Sequence, residues 1–211
     1  MTRHPLEFVV WANEEGGKTG SRAIAGEVTE AEFDIVTASG LTIEEGTRRL
    51  GGDLTQLADA RRQPNSLTAY LELHIEQGFV LDRRNVDIGV VEGIVGIKRW
   101  TVTVNGFANH AGTTPMDQRQ DALVTSARII DAVNQIALET PGRQVATVGR
   151  IEIDPGAPNV IPGRVTFSLE IRDLEMVKID LIFKQIQAEA ARIATDLDTE
   201  VTLEQFYESR A

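Results

Sequence analysis

The 211-residue chain contains no cysteine. That excludes a disulfide framework and any thiolate metal site, so a metal held here must use imidazole and carboxylate ligands. Histidine is scarce as well, with three copies, His4, His74 and His110. Basic residues are outnumbered, 21 against 32 acidic, for a formal charge of −11. No run of five or more basic residues offsets this imbalance, which argues against a phosphate-backbone partner. No apolar stretch approaches the ~20 residues of a membrane-spanning helix, and Met1-Thr2-Arg3-His4-Pro5 does not read as a signal peptide. The expected compartment is the cytoplasm, with neither nucleic acid nor membrane as partner.

What is present is ordinary for one or two globular domains: 42% hydrophobic and 25% charged residues. Residues Leu6–Ala12 form a short continuous apolar run that predicts a buried strand. It ends abruptly at Asn13 and the adjacent acids Glu14 and Glu15. Short helices are expected at Ser21–Ala25, Glu30–Phe33, Thr42–Leu50 and Asp53–Arg61, with Thr42 and Asp53 as N-caps. In Tyr70–Gln77, Leu71, Leu73 and Ile75 alternate with Glu72, His74 and Glu76, and this period of two predicts a strand with His74 on its polar face.

From Ile97 the pattern changes. Strands are expected at Arg99–Phe107, Val145–Ile153, Arg164–Arg172 and Glu200–Phe206, and amphipathic helices at Gln118–Leu138 and Glu175–Ala194. The order β-α-β-β-α-β is the ferredoxin-like split motif, an antiparallel sheet with two helices on one face. Glycines at 89, 93 and 96 mark the boundary, giving expected domains over 1–95 and 96–211. Base stacking on that sheet is disfavoured, because it lacks paired exposed aromatics and the chain is acidic.

Five stretches stand out as carriers of chemistry: "NEEG" (13–16), "LHIEQG" (73–78), "NHAGTTPM" (109–116), "PNVIPG" (158–163) and "EIRD" (170–173). Singly, each has a plain structural explanation, since a lone Glu-Glu is usually a solvated turn and a strand-face histidine is usually hydrogen-bonded or at the surface. Only the set is improbable. Together with "GVVEGIVGIKR", "GFANHAGTTPM" and "TVGRIEIDPGAPNVIPG", it resembles the metal-dependent amidohydrolases of the hydantoinase/carbamoylase branch of the M20 family. That branch includes N-carbamoyl-L-amino-acid hydrolase, allantoate amidohydrolase and β-ureidopropionase.

The resemblance implies an α/β fold in which a partial M20-type catalytic domain precedes a ferredoxin-like lid and dimerisation domain. It implies hydrolysis of the ureido C–N bond of N-carbamoyl amino acids, allantoate or similar acids, with two divalent ions, zinc or manganese, ~3.5–4 Å apart. By match to its motifs, Glu14 would be the general base, Glu15 and His74 metal ligands, and Gln77 a residue beside the substrate. Adjacent side chains on an extended strand tip point to opposite sides, so Glu15 would face metal while Glu14 faces substrate. Arg99, Asn159 and Arg172 would hold the carboxylate and ureido groups, and His110 would reach the active site of a partner subunit. Family members also carry an upstream His-x-Asp and a downstream His that have no match here, and a longer loop between "NEEG" and "GSR". The chain is therefore expected to be the middle of an enzyme and inactive alone. The alternative expectation is a catalytically dead dimerisation or carboxylate-binding module.

Overall fold

Short helices and 3₁₀ turns make up the N-terminal part. The computed structural model describes residues 3–211, and the chain falls into two compact units, Met1–Gly78 and Phe79–Ala211. In the first, Glu14–Gly17 (α1) and Thr19–Ala25 (α2) are joined at Lys18, whose φ of 57° is left-handed. Ile43–Arg49 (α3) follows, with 3₁₀ turns at Glu30–Glu32 and Leu54–Ala60. Thr42 caps α3 as expected. Its hydroxyl accepts from the Glu45 N–H at 3.1 Å, and its own N–H donates to the Glu45 carboxylate at 2.9 Å. Asp53 caps the last turn by accepting from the Thr55 N–H at 2.9 Å.

The two strands expected in this unit are not formed. Residues 6–12 and 70–77 join no β-ladder among the described residues, and their apolar side chains are open to solvent: Phe8 is 93% exposed and Leu73 97%. A period of two fixes which way side chains would point in a ladder. It does not supply the second backbone whose N–H and C=O groups complete one. Side chains connect the segments instead, through a Glu7–Arg62 ion pair and a Trp11 Nε1–H donated to Tyr70 Oη at 3.4 Å. Thr19 and Ile43 alone are buried among the described residues of this unit.

The second unit opens with one turn, Val80–Arg83 (α4), and then alternation takes over. In Gly96–Asn105 (β1), Trp100, Val102 and Val104 are buried and the intervening residues are not. Next come Asn109–His110 (β2), Ala122–Glu139 (α5), Val145–Thr147 (β3), Ile151–Asp154 (β4) and Val160–Ile161 (β5). Arg164–Asp173 (β6), Met176–Asp196 (α6) and Glu200–Ser209 (β7) complete it. The sheet order is β3-β6-β1-β7, with β4 also on β6, all antiparallel. This is the expected ferredoxin-like arrangement, augmented by a small β2–β5 ribbon.

The helices cover one face. Ile129 and Val133 of α5 and Ile179, Ile182 and Ile186 of α6 pack with Val165, Phe167, Leu169 and Ile171 of β6, and Trp100 stacks on Phe183 with centroids 4.2 Å apart. Two of the boundaries that differ from expectation have a visible cause. Helix α5 begins at Ala122 because the Asp121 carboxylate accepts from the N–H groups of Leu123 and Val124 at 2.9 and 3.1 Å. The strand expected over Val145–Ile153 breaks where the N–H groups of Gly149 and Arg150 turn to the Ser168 hydroxyl, at 3.3 and 3.1 Å. The uncovered face of the sheet is polar, carrying Arg99, Thr101 and Thr103 from β1 and Ser168, Glu170 and Arg172 from β6.

Candidate carboxylate-binding and catalytic residues

In the first unit, Glu14 and Glu15 lie in the single helical turn α1 and are exposed. This corrects the strand-tip geometry. Consecutive residues of a helix diverge by about 100° rather than pointing to opposite sides. The turn is entered through Asn13 at φ 51°, whose Nδ2–H donates to Thr19 Oγ1 at 2.9 Å, so the two short helices are tied across Lys18. His74 is exposed, with Nδ1 at 2.5 Å from the Ile75 carbonyl oxygen. A carbonyl only accepts, so in the neutral ring Nδ1 carries the proton and Nε2 keeps its lone pair, the form a metal ligand requires. Gln77 is exposed at φ 54°.

Do these residues fit a pair of divalent ions? Among the described residues, no group of three or more His, Cys, Asp or Glu side chains is gathered as a metal site. Glu15 and His74 are donors of the right chemistry, but two donors fall short of the three or four that a catalytic zinc-type site needs. By themselves these two donors do not complete the family's metal pair.

In the second unit the candidates fall into two groups. Arg99 of β1 lies directly opposite Glu170 of β6. Its Nε–H donates to Glu170 Oε2 at 2.6 Å, and the Nε–H of Arg172 donates to Oε1 of the same carboxylate at 2.5 Å. Burial would push the Glu170 carboxyl up, but the hydrogen bonds and charges of Arg172 and Arg99 outweigh it and hold the group below the usual carboxylate range. The Arg99 guanidinium also sits 4.8 Å from the ring centroid of Tyr207.

The other group is His110 and Asn159. They meet at the β2–β5 ribbon, where His110 pairs with Val160 and the Ala111 N–H donates to the Asn159 carbonyl at 3.0 Å. The His110 Nδ1 accepts from the Gly112 N–H at 3.1 Å, so the neutral ring carries its proton on Nε2 and can donate from there. Both side chains are exposed. The ribbon's entry depends on Gly106, where a Cβ would lie 2.0 Å from the Gln120 carbonyl oxygen, a contact no side chain could tolerate. Gly106 N–H donates to Gly163 just beyond the Asn105–Arg164 pair, so the ribbon extends past that end of the sheet. Arg172 is eight residues further along β6, ~26 Å at a strand's rise.

Residues 93–197 match the family described as "Peptidase dimerisation domain" of M20 proteins. The chain is 39% identical, over 99% of its length, to the N-carbamoyl-L-amino acid amidohydrolase of Geobacillus stearothermophilus. The chain belongs to the M20 family. It is also 33% identical, over 94% of its length, to the allantoate amidohydrolase of Escherichia coli strain K12. A hydantoinase/carbamoylase family amidase from Burkholderia ambifaria superposes with a TM-score of 0.82 at 31% identity, over 95% of this chain and 50% of that one. This M20 chain spans about half the length of the curated relatives it matches, 52% and 49% for the two named above.

Two residues of this M20 chain shape its candidate site although the motif matches give neither a role. Glu170 is legible only once Arg99 and Arg172 are known to flank it on one face, a relation that follows from the β1–β6 register. Arg119 holds the "NHAGTT" loop, donating from Nη2 to the carbonyls of Ala111 at 2.7 Å and Thr114 at 2.9 Å and from Nε to Thr114 at 3.1 Å. Its signal is faint, one basic residue just past the motif.

Proposed function

We propose that this chain supplies the substrate-gripping lid, and part of the metal-binding surface, of a cytoplasmic amidohydrolase. The enzyme would cleave the ureido C–N bond of N-carbamoyl amino acids, allantoate or similar ureido acids. The observation that carries this reading is the Arg99–Glu170–Arg172 arrangement. It sets two guanidinium groups side by side on a polar sheet face, in a chain whose relatives are named for ureido-acid substrates. An arginine fork matches a planar carboxylate better than a lysine's point charge does.

In this reading Arg99 and Arg172 bind the substrate carboxylate, and Asn159 offers its amide to the ureido group. The His110 Nε2–H polarises the scissile carbonyl by donating to its oxygen as negative charge develops there. Glu14 is the candidate general base, Gln77 lies beside the substrate, and Glu15 and His74 are two ligands of the family's divalent ions, zinc or manganese. Residues 1–95 are then part of the catalytic domain and 96–211 the lid. The ~26 Å between the Arg172 end of β6 and the ribbon exceeds the length of one ureido acid. His110 and Asn159 of one protomer would therefore complete the site of its partner, in a homodimer formed through the lid.

The test is an NMR titration of the 211-residue chain with an N-carbamoyl-L-amino acid. Without the metal-held end of the ligand, binding is expected on the order of millimolar. Shifts should centre on Arg99 and Arg172, and Arg172→Lys should weaken binding because the fork is lost while the charge stays. Shifts elsewhere only, or an unchanged affinity in Arg172→Lys, would contradict the assignment.

A further inference from the structure

We propose that Glu170 is the positioning residue of the carboxylate site, holding Arg99 and Arg172 by their Nε atoms so that each keeps its outer Nη1/Nη2 edge for a ligand carboxylate. The proposal rests on the reading of these two arginines as the carboxylate ligands.

The hydrogen-bond geometry distinguishes this from the opposite role. A glutamate between two arginines can act as an internal competitor, filling the forks that a ligand needs. It would then lie against the Nη1/Nη2 edges. Here one carboxylate oxygen meets each arginine, and both contacts run through Nε, at 2.6 Å for Arg99 and 2.5 Å for Arg172. A guanidinium has five N–H donors in a fixed fork, so a single bond at Nε orients the plane and leaves the end-on pair free to grip a second carboxylate bidentately. Among the described residues, Glu170 is the one whose carboxylate bonds to both. It faces Arg99 across the β1–β6 ladder, and Arg172, two residues along β6, shares its face.

The surroundings hold the same geometry. Between Arg99 and Trp100 the β1–β7 register slips, so that Arg99 faces Tyr207 while Trp100 faces Gln205, leaving Phe206 as the extra residue of a bulge. The bulge delivers two aromatic residues to one arginine. The Tyr207 ring lies against the guanidinium, and Phe206 lines a recess of about 160 Å³ with Arg99, Glu170, Thr147, Gly149 and Ser168. The recess has room for a small polar group beside Arg99. Two guanidinium charges against one carboxylate leave the cluster one positive charge, which a ligand carboxylate neutralises. Without Glu170, two like charges would face each other unsupported and turn apart.

Electrostatics and positioning predict opposite outcomes for Glu170→Gln, which makes the role testable. The 211-residue chain, its Glu170→Gln and Glu170→Asp forms and Arg172→Lys would each be titrated with an N-carbamoyl-L-amino acid. The arginine Nε–Hε resonances would be followed alongside. In the parent, the Nε–Hε signals of Arg99 and Arg172 are expected to be displaced and slow to exchange, as carboxylate-bound donors are. Glu170→Gln should lose that signature and bind the ligand roughly tenfold more weakly despite its extra positive charge. Glu170→Asp, which keeps the charge on a shorter arm, should recover part of both. If Glu170→Gln binds as tightly as the parent or more tightly, Glu170 is a competitor and the positioning role is wrong. If Arg172→Lys leaves the affinity unchanged, the arginines are not the carboxylate ligands and both readings fall. Should Glu170→Gln fail to fold, the parent's Nε–Hε signals and the Asp form decide: undisplaced signals, or parent-like signals and affinity with the carboxylate withdrawn by a methylene, overturn the proposal.

Discussion

Glu170 also ties the site to pH. Burial alone would raise its carboxyl, but the Arg172 and Arg99 bonds more than offset that, so the folded-state value lies below the unfolded one. A lowered carboxylate contributes stability that is complete above its unfolded value, about pH 4.3, and is lost as pH falls through the folded value. Glu32 and Glu189, half-buried and lowered by hydrogen bonds from Arg22 and Arg192, act in the same direction. Glu170→Gln should therefore melt below the parent near neutral pH, and the gap should narrow as the pH falls below about 4.3. Thermal unfolding across that range checks it, and a gap independent of pH would assign the loss to packing. Details at this level were the least legible in the sequence. The proton position on His74 depends on the Ile75 carbonyl and that on His110 on the Gly112 N–H. Neither follows from residue type. The motif matches singled out the arginines, but Glu170 acquires its role only from cross-strand register.

Strands and helices were readable where one face is buried against a partner. Val165, Phe167, Leu169 and Ile171 alternate in sequence and are fully buried in β6, and Thr42 and Asp53 cap the helices their positions imply. The same alternation misled at 70–77, and the apolar run at 6–12 did likewise, because neither segment has a described strand beside it. Hydrophobic pattern records how a segment would pack once paired, and pairing is a property of two segments. The break between β3 and β4 was equally invisible, since it turns on Ser168, a hydroxyl from a different strand. The burial in β6 carries a measurable consequence. Phe167→Ala should cost about 3–5 kcal/mol in urea unfolding of the chain, as expected for an aromatic side chain removed from a close-packed core. A loss below about 1 kcal/mol would mean that the helix-covered face is not the stabilising core.

For the molecule as a whole, two units of unequal completeness follow from where the apolar residues go. The second encloses a continuous core between one sheet face and two helices, while the first buries Thr19 and Ile43 among its described residues. The proposed chemistry divides in the same way. The carboxylate-gripping arginines stand on the well-packed sheet, whereas Glu14, Glu15 and His74 sit on exposed segments that gather no metal site among the described residues. Binding is therefore the function this chain should display by itself, and it should depend on the ligand's carboxylate. The decisive measurement is a side-by-side NMR titration of the 211-residue chain with an N-carbamoyl-L-amino acid and with its methyl ester, which keeps the ureido group but not the negative charge. The account predicts that the acid shifts the Arg99 and Arg172 side-chain resonances in a saturable way and that the ester leaves them in place. Equal responses to both ligands, or none to the acid, would contradict it.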